Sequence, residues 1–403
     1  MEPDAAERAL PAFSLAERDR RWGQVRELMA RDGIDALVAP PNTGGNERNQ
    51  ADARYLTQYG MNGEQIGCVF PLNGSVIGFG GPSSRLVTGW IDDVRNPRRT
   101  FNEAIVDALK ELGVEHGVIG VCGLQPSKYN LMRVPDGVVG ANLLDLMRQT
   151  FPAARIVSAT NVTGEARMTK SAEEIAFLER STAIAEAGLD ALLETARPGV
   201  RENSCYAAMI KAEIEQGASL PFKLSWESGP AGHLYERLTH ATRRVLRDGD
   251  LIINEIEGNW GGYMAQIDTS IYLGHTPADC QDAWKVATDS FERTVATMRP
   301  GLTFGELLET CAATPVVGGW GARLILHGRG LGDEGPLITF PPYDPEVTAR
   351  PLQEGNTFII KPQVRREREG SMAIFGDTVT VTATGARRLG KRPTDFATYH
   401  IVA

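Results

Sequence analysis

The chain has 403 residues, of which 42% are hydrophobic and 23% are charged, and its formal net charge is −9. A single core rarely grows to this length, so we expect two domains. The acidic balance argues against nucleic acid as a partner, because nucleic-acid-binding surfaces are basic, and no apolar run is long enough to span a membrane.

The N-terminus and the cysteines indicate a cytoplasmic protein. Residues 1–4 read Met-Glu-Pro-Asp and lack the apolar core of a signal peptide. The five cysteines are scattered and odd in number, which favours reduced thiols over a disulfide framework. We therefore expect a cytoplasmic location.

Helix and strand patterns alternate through the first part of the chain. Helical spacing covers residues 15–31 and 101–112, and short apolar runs predict strands at 35–39, 66–70, 74–78 and 117–121. A Gly/Asn-rich loop is predicted over residues 42–49. This alternation predicts a separate α/β domain over residues 1–160.

Longer helices follow in the second part. Residues 171–194 form an amphipathic pattern in which Ser171 and Glu174 have capping-box spacing. Further helices are predicted over residues 202–215 and 283–298, with a strand at 224–229 between them. We expect a second domain over residues 161–403 and an α/β (α+β) fold class for the whole chain.

A β-hairpin is the feature around which the second domain is organised. Residues 251–274 read LIINEIEGNWGGYMAQIDTSIYLG, with a turn at Gly261-Gly262 between two apolar strands. Residues two apart on a strand share a face, so Glu255 and Glu257 point to the same side. Gln266 follows on the second strand.

The hairpin and four further motifs resemble the creatinase/prolidase/methionine aminopeptidase superfamily. That family has two aspartates eleven residues apart in this hairpin, and Glu255 and Gln266 take their places. Residues 326–336 (LHGRGLGDEGP), 358–362 (FIIKP) and 376–379 (GDTV) resemble the family's later motifs, and residues 167–175 resemble the opening of its catalytic domain. The resemblance implies a creatinase-like N-terminal domain followed by a pita-bread catalytic domain.

The five metal-ligand positions of the family carry different residues in this chain. The family's metallopeptidases use Asp, Asp, His, Glu and Glu, whereas the corresponding residues here are Glu255, Gln266, His327, Lys361 and Gly376. A divalent ion needs several anionic or imidazole donors, and a lysine ammonium competes with it. We therefore expect no metal and no other cofactor.

Three histidines are candidates for proton transfer. His327 keeps the residue type of its position, and in creatinase this histidine lines the substrate pocket; the alternative is a core histidine satisfied by backbone groups. His233 and His240 lie in the segment where the family has its catalytic histidine. The spacing leaves both open, with a slight preference for His233.

Glu255 and Lys361 are expected to face each other, since a buried carboxylate without a partner is costly. The pair either fills the emptied metal site or binds the reacting group of a substrate. Arg329 is a candidate clamp for an anionic substrate. Asp333 is either an acid/base or substrate-binding group or a solvated loop carboxylate. The full set of predicted substrate-binding residues is Arg329, Gln266, His240, Asp333, Tyr263 and Trp226, of which Trp226 and Tyr263 have a core alternative.

The predicted function is metal-independent, creatinase-like hydrolysis of a C–N bond in a small, polar, carboxylate-bearing substrate. His233, His327, Glu255 and Lys361 are its predicted catalytic residues. Three alternatives remain: a metal-free lyase or decarboxylase, an Xaa-Pro aminopeptidase or prolidase-like metallopeptidase, and a non-catalytic binding protein. The resemblance also implies a homodimer in which the N-terminal domain of one subunit closes the site of the other.

Overall fold

The computed structural model describes residues 11–42, 50–58, 65–81, 89–97, 99–129, 136–220, 223–234, 240–366 and 371–402, without the side chains of residues 371 and 372. Residues 43–49 of the predicted Gly/Asn loop lie outside these ranges. The chain forms two compact units, residues 1–173 with 331–337, and residues 174–330 with 338–403. The domain limits at residues 160 and 161 stay a prediction.

The first unit is built on a mixed sheet. Its strands are β1 (Ala36–Ala39), β2 (Gly67–Pro71), β3 (Ile77–Phe79), β4 (Asp93–Arg95), β5 (Val118–Val121) and β6 (Arg155–Ser158), in the order β4-β3-β2-β1-β5-β6. Its helices are α1 (Leu15–Asp32), α2 (Ala51–Thr57), α3 (Phe101–Glu111), α4 (Ala141–Thr150) and α5 (Thr160–Ala166). The two predicted helices and four predicted strands of this region are present to within a few residues.

Helix α1 shows how local sequence sets the limits of an element. The Ser14 side chain accepts a hydrogen bond from the backbone N–H of Glu17 and so caps the first turn. Gly33, in the left-handed region at φ 65°, ends the helix by donating to backbone carbonyls of its last turn. Val25 and Met29, four residues apart, turn one face of the helix into the core.

Residues 331–337 belong to the first unit through a buried ionic cluster. Strand β11 (Gly332–Ile338) lies mostly within this segment. Glu334 pairs with Lys170 at 2.6 Å and with Arg167 at 3.4 Å, and Arg167 also pairs with Asp52 at 2.5 Å. Asp333 is buried in the same unit. It is therefore not the solvated loop carboxylate of one interpretation, and its proposed role in substrate binding stays a prediction.

The second unit is built on a larger, mainly antiparallel sheet. Its main strands are β7 (Leu224–Pro230), β8 (Asp250–Trp260), β9 (Tyr263–Leu273), β10 (Gly321–Gly330), β12 (Thr357–Arg365) and β13 (Ser371–Val381), in the order β10-β12-β13-β9-β8-β7. Two short strands, β14 (Ala386–Arg388) and β15 (His400–Ile401), pair with β13 and β9. The helices are α6 (Ala172–Thr195), α7 (Glu202–Glu215), α8 (Cys280–Thr297), α9 (Phe304–Ala312), α10 (Pro345–Thr348) and α11 (Phe396–Tyr399).

The predicted hairpin is confirmed as β8 and β9. Gly261 and Gly262 form its turn with φ values of 58° and 90°, which β-carbon-bearing residues rarely adopt. Ile252 and Ile256 of β8 lie in the core of this unit. Gly258 shares their face and approaches α6 so closely that a β-carbon there would lie 1.9 Å from the carbonyl oxygen of Ser181.

This alternation determines where the polar residues of the hairpin point. Because successive side chains of a strand alternate between faces, Ile252 and Ile256 lie on the helix-covered face, and Glu255, Glu257 and the paired Gln266 lie on the other face. The predicted α/β fold class is thereby confirmed, and the hairpin positions the polar residues described below.

Membrane and disulfide features are also defined by the structure. Within the described ranges, no helix combines the length and the apolar character that crossing a membrane requires. All five cysteines are buried, and none forms a disulfide. Burial raises the pKa of the Cys205 and Cys311 thiols to about 11, so these thiols stay protonated at neutral pH.

Candidate active site

One row of side chains crosses four neighbouring strands on the face away from the helices. Glu255 of β8 pairs in register with Asp268 of β9, and Asp268 pairs with Gly376 of β13. The register between β12 and β13 then places Lys361 beside Gly376. The order across the sheet is therefore Glu255, Asp268, Gly376 and Lys361.

A second row runs parallel to the first, two residues along each strand. It contains Glu257, Gln266, Thr378, Ile359 and His327 in that order across the sheet. The Thr378 hydroxyl donates to the backbone carbonyl of Gln266 at 2.8 Å, which fixes this row between β9 and β13. The two rows together contain all five residues that stand at the metal-ligand positions of the superfamily: Glu255, Gln266, His327, Lys361 and Gly376.

Glu255 and Lys361 form the expected ion pair. Lys361 Nζ donates to Glu255 Oε1 at 2.6 Å, and the two side chains are only 6% and 14% exposed for Lys361 and Glu255. Burial on its own would raise the pKa of Glu255, but the charge of Lys361, with a smaller contribution from Lys223, holds this pKa at about 2. Glu255 is therefore a fixed negative charge at neutral pH.

Asp268 is a site residue that the sequence analysis missed. It is fully buried opposite Glu255, and its Oδ1 accepts a hydrogen bond from Gln266 Nε2 at 2.9 Å. Burial raises the pKa of Asp268 to about 6, although Lys361 opposes the shift. A group with this pKa changes charge close to neutral pH, which is the property a general acid/base needs.

A sequence signal for Asp268 does exist. Once the hairpin turn is centred on Gly261-Gly262, pairing across the strands puts residue 268 opposite residue 255. Strand alternation also puts it on the same face as Gln266. Matching Gln266 to the second aspartate of the family drew attention away from the carboxylate two residues later.

Arg329 holds carboxylate and amide groups of the chain itself. Its side chain is fully buried, and its Nη1 donates to Glu257 Oε1 at 2.9 Å and to Gln266 Oε1 at 3.3 Å. Its Nε donates to the backbone carbonyl of Met264 at 3.0 Å. In this structure Arg329 is bonded to Glu257, and Gln266 links it to Asp268, while its predicted role as a clamp on a substrate anion stays a prediction.

The residues at the five ligand positions do not fit a pair of divalent ions. Lys361 brings an ammonium group that is already bonded to Glu255, and Gly376 has no donor. A β-carbon at Gly376 would lie 2.7 Å from Lys361 Cβ, so no larger side chain fits there. Among the residues that the structure describes, no three His, Cys, Asp or Glu side chains form a group that could hold a metal ion.

Of the three candidate histidines, the structure brings one to the two rows. His327 is buried on the same face, in register with Ile359 of the second row. Its Nδ1 lies 3.4 Å from the carbonyl oxygen of Gly328, a long contact. His233 and His240 are exposed on either side of residues 235–239, which lie outside the described ranges.

Trp226 and Tyr263 are buried core residues, the alternative to their predicted role in substrate binding. Trp226 pairs in register with Asn254 and so lies on the face opposite Glu255, within the core of the second unit. Tyr263 is buried, donates a hydrogen bond from its hydroxyl to Glu174 Oε1 at 2.5 Å, and packs edge-on against Phe177. Strand alternation thus explains why neither aromatic ring joins the polar rows.

A buried neutral carboxyl group lies behind the site. Glu213 of α7 is fully buried, and neither of its oxygens has a hydrogen-bond partner among the described residues. It packs against Gly188 of α6, where a β-carbon would meet its Oε1 at 2.5 Å. Burial, with a further contribution from the charge of Glu257, raises the pKa of Glu213 to about 9, so this group is protonated at neutral pH.

Curated relatives of the chain include both peptidases and an enzyme that acts on a small molecule. The chain is 26% identical to the Xaa-Pro dipeptidase of Pyrococcus furiosus over 261 residues, which cover 64% of this chain and 72% of the relative. It is 24% identical to the ectoine hydrolase of Halomonas elongata in an alignment 414 positions long, gaps included, which covers 94% of this chain and 97% of the relative.

Solved structures and a family model agree with the resemblance. The fold matches that of the X-Pro aminopeptidase from Thermotoga maritima with a TM-score of 0.75 and 17% identity, over 94% of this chain and 99% of that one. The model of metallopeptidase family M24 matches residues 176–383, which is more than half of the chain and includes both polar rows. The chain therefore belongs to metallopeptidase family M24 and to the pita-bread superfamily that the sequence motifs indicate.

Proposed function

We propose that this protein is a metal-independent hydrolase that cleaves a C–N bond of a small, carboxylate-bearing substrate. The observation that carries the proposal is the 2.6 Å bond between Lys361 and Glu255, two of the five ligand positions. In this proposal the Lys361 ammonium group stabilises the negative charge that develops on the substrate, which in metallopeptidases is the role of the metal ions.

Each residue of the pair has a role in this reaction. Lys361 donates a hydrogen bond to the substrate oxygen or nitrogen on which negative charge develops, while Glu255 keeps the ammonium group in position. A water molecule attacks the carbon of the C–N bond and gives its proton to His327. His327 then passes the proton to the leaving nitrogen, which departs as an amine.

Asp268 supplies a second proton-carrying group in this scheme. Its pKa of about 6 means that both its protonated and its ionised form are populated near neutral pH. Its Oδ2 has no hydrogen-bond partner among the described residues. This oxygen could therefore accept a hydrogen bond from the attacking water.

Two relatives favour different substrates for this chain. The ectoine hydrolase, which aligns with 94% of the chain, is named for a small molecule, whereas the Xaa-Pro dipeptidase is named for peptides. The Lys361–Glu255 pair favours the small-molecule alternative, because prolidase-like chemistry in this family relies on the carboxylates that Lys361 and Gly376 replace. We further propose a cytoplasmic homodimer, whose mass light scattering would measure.

The proposal is tested by measuring metal content and turnover together. The protein, purified without added metal, is analysed for Zn, Mn, Co and Fe, dialysed against a chelator, and assayed against small amides and amidines and against an Xaa-Pro dipeptide. We expect less than one metal per chain and turnover of a small substrate that survives the chelator. Metal at one or more ions per chain, lost together with dipeptide hydrolysis, would overturn the proposal.

Variants of Lys361 separate its role from that of a general surface charge. Lys361→Gln and Lys361→Glu are expected to lower turnover by at least about a hundredfold, the usual effect of removing one stabilising donor. Lys285→Gln is the matched control, since Lys285 is an exposed lysine that pairs with Asp289 on α8. Unchanged turnover in a folded Lys361→Gln variant would place this residue outside the site.

A further inference from the structure

A second lysine lies beside Glu255 at the edge of the site. Lys223 Nζ is 3.7 Å from Glu255 Oε2, on the side of the carboxylate away from the Lys361 bond to Oε1. Lys223 is held in place because its backbone carbonyl accepts a hydrogen bond from the N–H of Glu257 at 3.0 Å. Its side chain is 34% exposed, compared with 6% for Lys361.

The three cations of the site differ in how they are engaged. Lys361 and Arg329 are buried and donate to Glu255 and Glu257 at hydrogen-bond distance. Lys223 lies beyond hydrogen-bond distance from Glu255, and its ammonium group has no hydrogen bond to any residue that the structure describes. The ammonium donors of Lys223 therefore remain available to an arriving ligand.

Glu255 does not need Lys223 for its own neutralisation. Lys361 already supplies one full charge to this carboxylate at 2.6 Å, whereas Lys223 lies 3.7 Å from it. Lys223 can therefore bind an arriving anion without breaking a hydrogen bond to Glu255. A small carboxylate suits the position because a lysine ammonium binds it as a point charge with up to three donors.

We propose that Lys223 binds the carboxylate of the substrate and so makes the site specific for small anions. This inference rests on the proposed function for the reaction, but the binding step is independent of it. With C–O bonds of about 1.2 Å, the path through the Glu255 carboxylate places the two lysine nitrogens within roughly 9 Å of each other. The scissile bond at Lys361 and the carboxylate at Lys223 then belong to one molecule of amino-acid size.

The inference is tested by binding to the full-length protein rather than by turnover. The probes are N-acetylglycine, N-acetyl-β-alanine and 4-acetamidobutyrate, whose carboxylates lie at increasing distance from the amide, and the three corresponding neutral primary amides. Titration calorimetry at low ionic strength compares the wild type with Lys223→Gln and with the exposed control Lys211→Gln. Lys211 pairs with Glu215 on α7 and lies outside the two rows.

We expect at least one acid to bind the wild type more tightly than its amide, and Lys223→Gln to weaken that acid by about tenfold or more. Binding of the amides and the behaviour of Lys211→Gln are expected to stay unchanged. Equal loss for acids and amides, or no acid preference in the wild type, would overturn the inference. Anion selectivity without any hydrolysis would instead refute the proposed reaction and leave the role of Lys223 intact.

Discussion

Glu213→Gln is expected to stabilise the protein by an amount that increases with pH. The pKa of Glu213 is about 9 in the folded chain, compared with 4.5 for an ordinary glutamate, so the folded chain keeps a proton that the unfolded chain releases. A carboxyl group with a raised pKa contributes fully to stability below pH 4.5, and its contribution is lost as pH rises towards 9. Glutamine has the same shape and no ionisation in this range.

The size of this effect follows from the one proton that Glu213 keeps in the folded chain and releases on unfolding. Each pH unit between the two pKa values lowers the free energy of unfolding of the wild type by about 1.4 kcal/mol, which gives about 2.7 kcal/mol between pH 6 and pH 8. The variant lacks this slope. The difference in stability between variant and wild type should therefore increase by the same amount over this range.

Urea-induced unfolding at pH 6, 7 and 8, followed by tryptophan fluorescence, measures this difference. Glu215→Gln is the matched control, because Glu215 lies on the same helix, is 61% exposed and pairs with Lys211. The control is expected to differ from the wild type by the same small amount at each pH. If Glu213→Gln also shows a pH-independent difference, Glu213 is ionised in the folded protein, and the reasoning from its burial is wrong.

The remaining predictions concern the two rows. Lys361→Met should lower the free energy of unfolding at pH 7 by up to about 3–5 kcal/mol, because it removes the hydrogen-bonded partner of the buried Glu255 and leaves only Lys223 at 3.7 Å; an unchanged urea midpoint would contradict this. Above pH 4.5 the Glu255–Lys361 pair stabilises the fold, and this contribution is lost as pH falls towards 2. Measuring the free energy of unfolding of the wild type and of Glu255→Gln across this acidic range tests it, since the variant should lack that loss. Asp268→Asn should remove an ionisation near pH 6 from the pH–rate profile, and a profile that keeps it would assign that ionisation elsewhere. Gly376→Ala should destabilise the fold by about 1–3 kcal/mol, because the added methyl group overpacks the space between β12 and β13. A variant that unfolds at the same temperature as the wild type would contradict this and show that the two strands move apart to accept the methyl group.

The fold was predictable where a local pattern has one physical solution. The Gly261-Gly262 turn between two apolar alternating segments allows only a hairpin of this register, and the motifs around His327 and Lys361 are specific enough to indicate the family. The limits of the first unit were harder to predict. Residues 331–337 join it through Glu334, Lys170 and Arg167, and nothing local in the sequence signals a contact across so long a separation.

The candidate site was predictable in its central pair but not in its surroundings. The chemistry of a buried carboxylate required a partner for Glu255, and Lys361 was the available cation. The engagement of Arg329 by Glu257 depends on where β10 lies against β9, which requires tertiary structure. Lys223 precedes β7 and reaches Glu255 only because β7 pairs with β8. Alternation along β7, once the register is known, assigns Trp226 to the core.

The close approach of β12 and β13 at Gly376 limits the substitutions by which this site could acquire a pair of metal ions. A β-carbon at residue 376 would lie 2.7 Å from Lys361 Cβ and 3.0 Å from the backbone oxygen of Ile360, so an acidic side chain cannot be added there while the strands keep this spacing. Replacing Lys361 by glutamate would still leave residue 376 without a donor. A mutational path from this site to the family's two-metal ligand set therefore requires a backbone shift as well as substitutions at Gln266, Lys361 and Gly376, and none of these substitutions restores the ligand set alone. Single substitutions are therefore not expected to convert this site into a two-metal centre.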